Sequence, residues 1–235
     1  MSAPLPRTLE PEVMASPEEA LVYDEMDHSA ANHAFVDDLL ARCSGTGAWL
    51  DLGTGTAQMP LELCRRTKFQ GRITAIDLSE SMLDLARCHI EAASLSDRIR
   101  LDRVDAKSLP WPDSSFDGVC SNSIVHHLPD PEPALREAVR VVRPGGFIFV
   151  RDLVRPQAMV ELEALVARYM HQESDEGQRL FRESLRAALN LEEIRQLVER
   201  IGFSADSVYA SSDRHWTWCD QKGAEESPHL RAAEE

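Results

Sequence analysis

The chain has 235 residues, 43% of them hydrophobic, and a formal net charge of −15. That length carries one sizeable core and is short for two ordinary domains, and the apolar fraction is that of a folded globular protein, not a disordered one. The acid excess sets most of the surface against a polyanion, so nucleic acid is not an expected partner, and no apolar run approaches the ~20 residues of a membrane span.

Residues 1–19 are rich in Pro and Glu and read as an irregular arm. They lack an apolar h-region and the Arg-rich pattern of a transit sequence, so a cytoplasmic location is expected. A helical pattern covers Glu19 to about Arg42, with Leu21, Phe35, Val36, Leu39 and Leu40 as its apolar positions, and Gly45 and Gly47 break it. Strands and helices then alternate. Ala48–Leu52 is a short apolar strand and residues 57–67 are helical. Residues 72–76 form a second strand ending at Asp77, and Ser79 caps a helix carrying Met82, Leu83, Leu85, Ala86 and Ile90. Third and fourth strands fall at 99–104 and 116–121.

Asp130 opens the next helix with Pro131 in its first turn, and Pro144-Gly145-Gly146 closes it before a fifth strand at 147–150. Two helical stretches follow without a strand between them, at 157–172 and 178–189, and the region 157–189 reads as a lid inserted over the active-site edge. Asn190 caps a helix that Gly202 stops, and 203–210 and 215–219 are the closing strands. The polar segment 221–235 is expected to be disordered. The β-α-β-α order predicts an α/β, doubly wound, mostly parallel sheet, with residues 20–220 as its domain.

Cys43, Cys64, Cys88, Cys120 and Cys219 contain no C-x-x-C pair, so neither a disulfide framework nor a metal site is expected. The informative segment is Leu50-Asp51-Leu52-Gly53-Thr54-Gly55-Thr56-Ala57, between a strand and a helix. Gly53 and Gly55 let the backbone turn tightly and approach a ligand, and the helix presents unpaired N–H groups. A dinucleotide needs a third glycine where this chain has Gln58, which counts against a nicotinamide-dependent oxidoreductase. A cofactor with an amino-acid end fits better, with Asp51 facing its ammonium. Asp77 stands where a carboxylate meets ribose hydroxyls, Leu78 beside it would lie against an adenine, and Asp105 would accept from an exocyclic amino group.

With Ala75-Ile76-Asp77-Leu78-Ser79, Asp105-Ala106-Lys107-Ser108-Leu109-Pro110, Phe116-Asp117-Gly118-Val119, Val125-His126-His127-Leu128 and Arg143-Pro144-Gly145-Gly146, six motifs stand in order. The chain thereby resembles the class I S-adenosylmethionine-dependent methyltransferases, in the group similar to the menaquinone and ubiquinone biosynthesis methylases. The resemblance implies a seven-stranded Rossmann-like sheet with a reversed last strand, and S-adenosylmethionine as cofactor. It implies a cofactor pocket from Tyr23, Asp51, Gly53, Gly55, Asp77, Leu78, Met82, Asp105, Ala106 and the strand-four end at Ser121. One departure is Ala57, where many relatives have glycine.

Since the methyl donor is already activated, positioning is the protein's main task, and carbon or oxygen nucleophiles also need a proton removed. His126 and His127, just past the fourth strand, are the candidate bases. Tyr23, Asp27 and His28 lie in the N-terminal helix, which folds over the cofactor in similar enzymes. Asp152, at the pocket rim, is expected to pair with Arg151 or Arg155, with orientation of a substrate as its alternative, and Trp216 and Trp218 to pack in the sheet. The expected function is methyl transfer to a small organic acceptor. A non-catalytic S-adenosylmethionine-binding protein and a methyltransferase acting on a protein are the alternatives. Oligomeric state is not legible.

Overall fold

The computed structural model describes residues 5–13 and 16–223. Helix α1 (Pro17–Glu25) and helix α2 (Ser29–Arg42) replace the single predicted helix. The break falls where the Asp27 carboxylate accepts the Ser29 N–H at 2.9 Å and so starts a new helix. The alternating region follows as β1 (Ala48–Leu52), α3 (Gln58–Arg65), β2 (Arg72–Asp77), α4 (Glu80–Ala92), β3 (Ile99–Arg103) and β4 (Phe116–Asn122). A 3-10 turn at Val125–His127 leads to α5 (Glu132–Val141) and β5 (Val142–Leu153). The expected Pro-Gly-Gly turn is a bulge within β5, since pairing passes from Phe116 opposite Val142 to Gly118 opposite Phe147. Gly145 takes φ +75° there.

Helices α6 (Met159–Tyr169), α7 (Asp175–Ala187) and α8 (Leu191–Arg200) precede β6 (Val208–Ala210) and β7 (His215–Gln221). Strand β6 is shorter than predicted, because Ser204 accepts the Asp206 N–H and starts a 3-10 turn over Ala205–Ser207. Gln221 lies in β7, and of the expected disordered segment residues 224–235 lie outside the described residues.

The seven strands lie in the order β3-β2-β1-β4-β5-β7-β6, with β7 antiparallel to both neighbours and the other pairings parallel. Strand alternation splits the core between two faces. Leu50, Leu52, Ile148, Val150, Trp216 and Trp218 pack with α5 and α8. Trp49, Ile73, Ala75, Phe147 and Phe149 pack with α2, α3 and α4. Helices α6 and α7 bury Leu162, Leu165, Val166, Leu180 and Leu185 against Met26 and Leu153. Strand order reverses between β1 and β4, which opens a crevice at their carboxyl ends.

Candidate active site

The loop after β1 is held in shape by its neighbours. Gly53 has φ +67°, and a Cβ there would lie 2.8 Å from the Ile124 side chain, so both conformation and space demand glycine. The Thr54 N–H reaches the Ile76 carbonyl at 2.8 Å. Gly55 has φ +54° and donates its N–H to Asp77 Oδ2 at 2.9 Å, while the Ser79 N–H reaches Asp77 Oδ1 at 2.9 Å. Ala57 enters α3 at φ +63°, a left-handed conformation costly for a residue with a Cβ. Gln58, in place of a third glycine, bonds Asp24 on α1.

A cleft opens over this loop, with Gly53, Gly55, Asp77, Leu78, Met82, Asp105 and Ala106 on its walls. Burial pushes the Asp77 carboxyl above the ordinary carboxylate value. Asp105 is also engaged by Lys107, whose Nζ lies 3.1 Å away. Tyr23 separates this cleft from a smaller polar cavity lined by Asn32, Asp51, Thr54, Thr56 and Asn122. Burial, and next the Asp77 charge, push the Tyr23 phenol up to about 12. Ser121 is not on the cleft wall, contrary to expectation. It is fully buried and its hydroxyl bonds the Leu52 carbonyl at 2.8 Å, since its side chain points into the sheet; Asn122, Ser123 and Ile124 form the wall instead. Asp27 is exposed and its carboxylate accepts the Ser29 N–H at the start of α2.

The donor set fits a ligand with an adenosyl body and an amino-acid end. Thr56 Oγ1 is buried with no hydrogen-bond partner among the described residues, and Asp51 Oδ2 and Thr54 Oγ1, buried beside it, have at most each other. Such orphaned atoms are costly unless a ligand meets them. Burial pushes Asp51 up to about 7, so a ligand ammonium would restore its charge. Each Asp77 oxygen accepts one backbone N–H and keeps a lone pair for a hydroxyl.

The far wall is a buried ionic cluster. Asp152 is not paired with either arginine: it accepts the His126 ring nitrogen Nδ1 at 2.5 Å, together with the N–H groups of Val125, His126 and Leu153. Arg151 bonds Asp38 and Thr217, and Arg155 bonds Glu193. The alternation of β5 sends Arg151 to the opposite face from Asp152. Burial would lower the His126 pKa, but the Asp152 carboxylate overrides it and raises it. Glu10, on the N-terminal arm, lies 3.4 Å from His126 Nε2 and 2.9 Å from His127 Nδ1. Nothing in the sequence singled out Glu10, because the arm has no periodicity and meets the histidines only in space. His127 lines the cofactor cleft and also a second cleft between the arm and α7, with Leu9, Glu10, Leu180 and Arg186 among its other walls.

Residues 50–150 match the model of a methyltransferase domain family. A demethylmenaquinone methyltransferase of Desulfitobacterium hafniense is 39% identical over 107 residues, covering 46% of this chain and 42% of that protein. A 27-O-demethylrifamycin SV methyltransferase of Amycolatopsis mediterranei is 34% identical over 115 residues, covering 49% of this chain and 42% of that one. The chain thus spans less than half the length of these relatives. A crystal structure of a SAM-dependent methyltransferase from Aquifex aeolicus superposes with TM-score 0.62 at 16% identity, covering 88% of this chain and 98% of that one. That likeness confirms the fold.

Proposed function

We propose that the chain is a class I S-adenosylmethionine-dependent methyltransferase that transfers a methyl group to a small organic acceptor, a reading supported by the match of residues 50–150 to a methyltransferase domain family. The observation that carries this reading is the meeting of two clefts at His127: one fitted to the cofactor, the other open beside it. The two named relatives, whose names specify a quinone precursor and a rifamycin, support an acceptor of small-molecule size. The acidic net charge of −15 supports the same choice over nucleic acid.

S-adenosylmethionine, when bound, supplies a methyl group already activated on a sulfonium. The chain's own residues bind and orient. In this reading Asp51, Thr54 and Thr56 hold the amino-acid end, and Asp77 takes the ribose hydroxyls. Leu78, Met82, Ala106 and Ile124 enclose the base, and Tyr23 closes the cleft from α1. An acceptor in the second cleft reaches the reacting centre past His127, with Leu9 and Leu180 offering it apolar surface. His126 is locked between Asp152 and Glu10 and acts through its neighbour, whereas His127 is the ring that an acceptor touches. Proton removal from an oxygen or carbon nucleophile falls to this Glu10–His126–His127 wall.

The test is an acceptor screen with methyl-labelled cofactor, preceded by calorimetry with S-adenosylhomocysteine. Saturable binding followed by label transfer to a small hydroxyl or carbon acceptor is expected. Binding without transfer to any acceptor class would favour a non-catalytic binding protein, and transfer only to protein would overturn the acceptor assignment.

A further inference from the structure

The two histidines at the wall between the clefts are adjacent in sequence, and the arm brings a carboxylate onto both. Glu10 Oε1 stands 3.4 Å from His126 Nε2 and 2.9 Å from His127 Nδ1, and ligand-capable atoms of all three residues lie within 4.8 Å of one another. Around a divalent ion with bonds of about 2.0–2.1 Å, tetrahedral neighbours are about 3.3–3.4 Å apart. The separation of Glu10 Oε1 from His126 Nε2, 3.4 Å, matches that edge, and that from His127 Nδ1, 2.9 Å, is shorter.

Hydrogen bonding within the cluster is incomplete in a way that asks for a cation. Asp152 holds His126 Nδ1 at 2.5 Å, which orients the ring and turns Nε2 toward the Glu10 carboxylate. His127 Nδ1 is close enough to the same oxygen for a hydrogen bond but off its direction, and this buried nitrogen is otherwise unsatisfied among the described residues. Asp152 occupies the position of the outer carboxylate that orients a metal-binding histidine.

We propose that Glu10, His126 and His127 bind a divalent transition-metal ion, zinc being the best match, with Asp152 orienting His126. Two imidazoles and one carboxylate suit zinc and its first-row neighbours, and the ion neutralises two buried carboxylates at once. Glu10 and His127 also line the second cleft, from which water or an acceptor oxygen completes the coordination. A metal-bound hydroxyl loses its proton near neutral pH, so the ion supplies what a general base otherwise would. This last consequence rests on the methyltransferase reading; ion binding does not.

The full untagged chain, stripped with a chelator and dialysed against zinc, is analysed for metal content and titrated with zinc in a calorimeter. One equivalent is expected, and cobalt in its place gives the visible spectrum of a four-coordinate nitrogen and oxygen site. Glu10→Gln and His127→Ala each weaken zinc binding by at least about tenfold, and Asp152→Asn by about 10- to 100-fold. Glu10→Gln, whose fold is checked by its melting curve, keeps its S-adenosylhomocysteine affinity. No stoichiometric zinc in the wild type, or unchanged zinc affinity in both Glu10→Gln and His127→Ala, overturns the site. Zinc failure with intact S-adenosylhomocysteine binding sinks the ion alone; the reverse pattern sinks the cofactor assignment alone.

Discussion

Asp77 Oδ2 accepts the Gly55 N–H at 2.9 Å, so the carboxylate that ends β2 also closes the loop that ends β1. One side chain thus shapes the glycine turn and faces the ligand. Asp77→Ala removes charge-assisted bonds to two hydroxyls and the anchor of the loop together. It is expected to weaken S-adenosylhomocysteine binding by about 1–3 kcal/mol, or about 5- to 150-fold, in calorimetry on material with a native melting curve.

Gly53→Ala places a Cβ against Ile124 at a backbone angle of φ +67°. The clash and the strain together cost about 1–3 kcal/mol of stability, seen as a lower urea midpoint with an unchanged slope. Cofactor affinity falls with it, whereas Gly202→Ala, which also has positive φ but meets no atom within 4 Å, leaves affinity unchanged.

Asp51 gives the cofactor site a pH dependence. Its folded pKa, raised to about 7 by burial, exceeds the ordinary value of 3.8. The folded chain therefore keeps a proton that the unfolded chain has lost, and the stability this contributes declines as pH rises from about 4 through about 7. A ligand ammonium pairs with the ionised form, so S-adenosylhomocysteine affinity should rise from pH 6 to pH 8. Asp51→Asn should flatten that profile, which separates Asp51 from Asp77, also raised by burial. A slope retained in Asp51→Asn would assign the titration elsewhere.

Arg7 fastens the arm, donating to the carbonyls of Ala187 at 2.7 Å, Leu128 at 2.8 Å and Pro129 at 3.1 Å. Arg7→Ala forfeits about 1–2 kcal/mol of these bonds and raises the detached population about 5- to 30-fold. Thermolysin cleavage beside the exposed Leu9 should accelerate in proportion. An unchanged cleavage rate would mean that the arm's other bonds, among them Arg155 to the Leu5 carbonyl at 3.0 Å and the Thr8 N–H to the Arg186 carbonyl at 3.0 Å, suffice to hold it.

Trp218 is fully buried and packs edge-on against Phe203 at 5.3 Å, while its indole N–H finds no partner among the described residues. Trp218→Ala should cost about 3–5 kcal/mol in urea denaturation, whereas Trp218→Phe, which loses no hydrogen bond, should cost about 1–2 kcal/mol.

The parallel core and the cofactor loop were legible because both are local. Strand periodicity, the glycines at 53 and 55 and the carboxylate at 77 are each written in a short window. The antiparallel β7 was legible through the resemblance, and the burial of Trp216 and Trp218 through their alternation. The rest was hidden because it is assembled across distance. Asp152 could be weighed only against its neighbours in sequence, and its true partner, His126, lies on the adjacent turn in space. Ser121 was misplaced by a single position of strand alternation, which turns a wall residue into a core residue. Glu10 and Arg7 carry no pattern at all, and their roles appear only once the arm lies across the site.

Two arginines help to fasten that arm through carbonyl oxygens. Arg7 and Arg155 grip the main chain at positions 128, 129, 187, 188 and 5, and of these two guanidiniums only Arg155 adds a side-chain partner, Glu193. A clasp that recognises backbone contour is indifferent to residue identity along the rim it closes. Substitutions at 180 and 183 on α7 can therefore reshape the walls of the second cleft while these two arginines keep their grip.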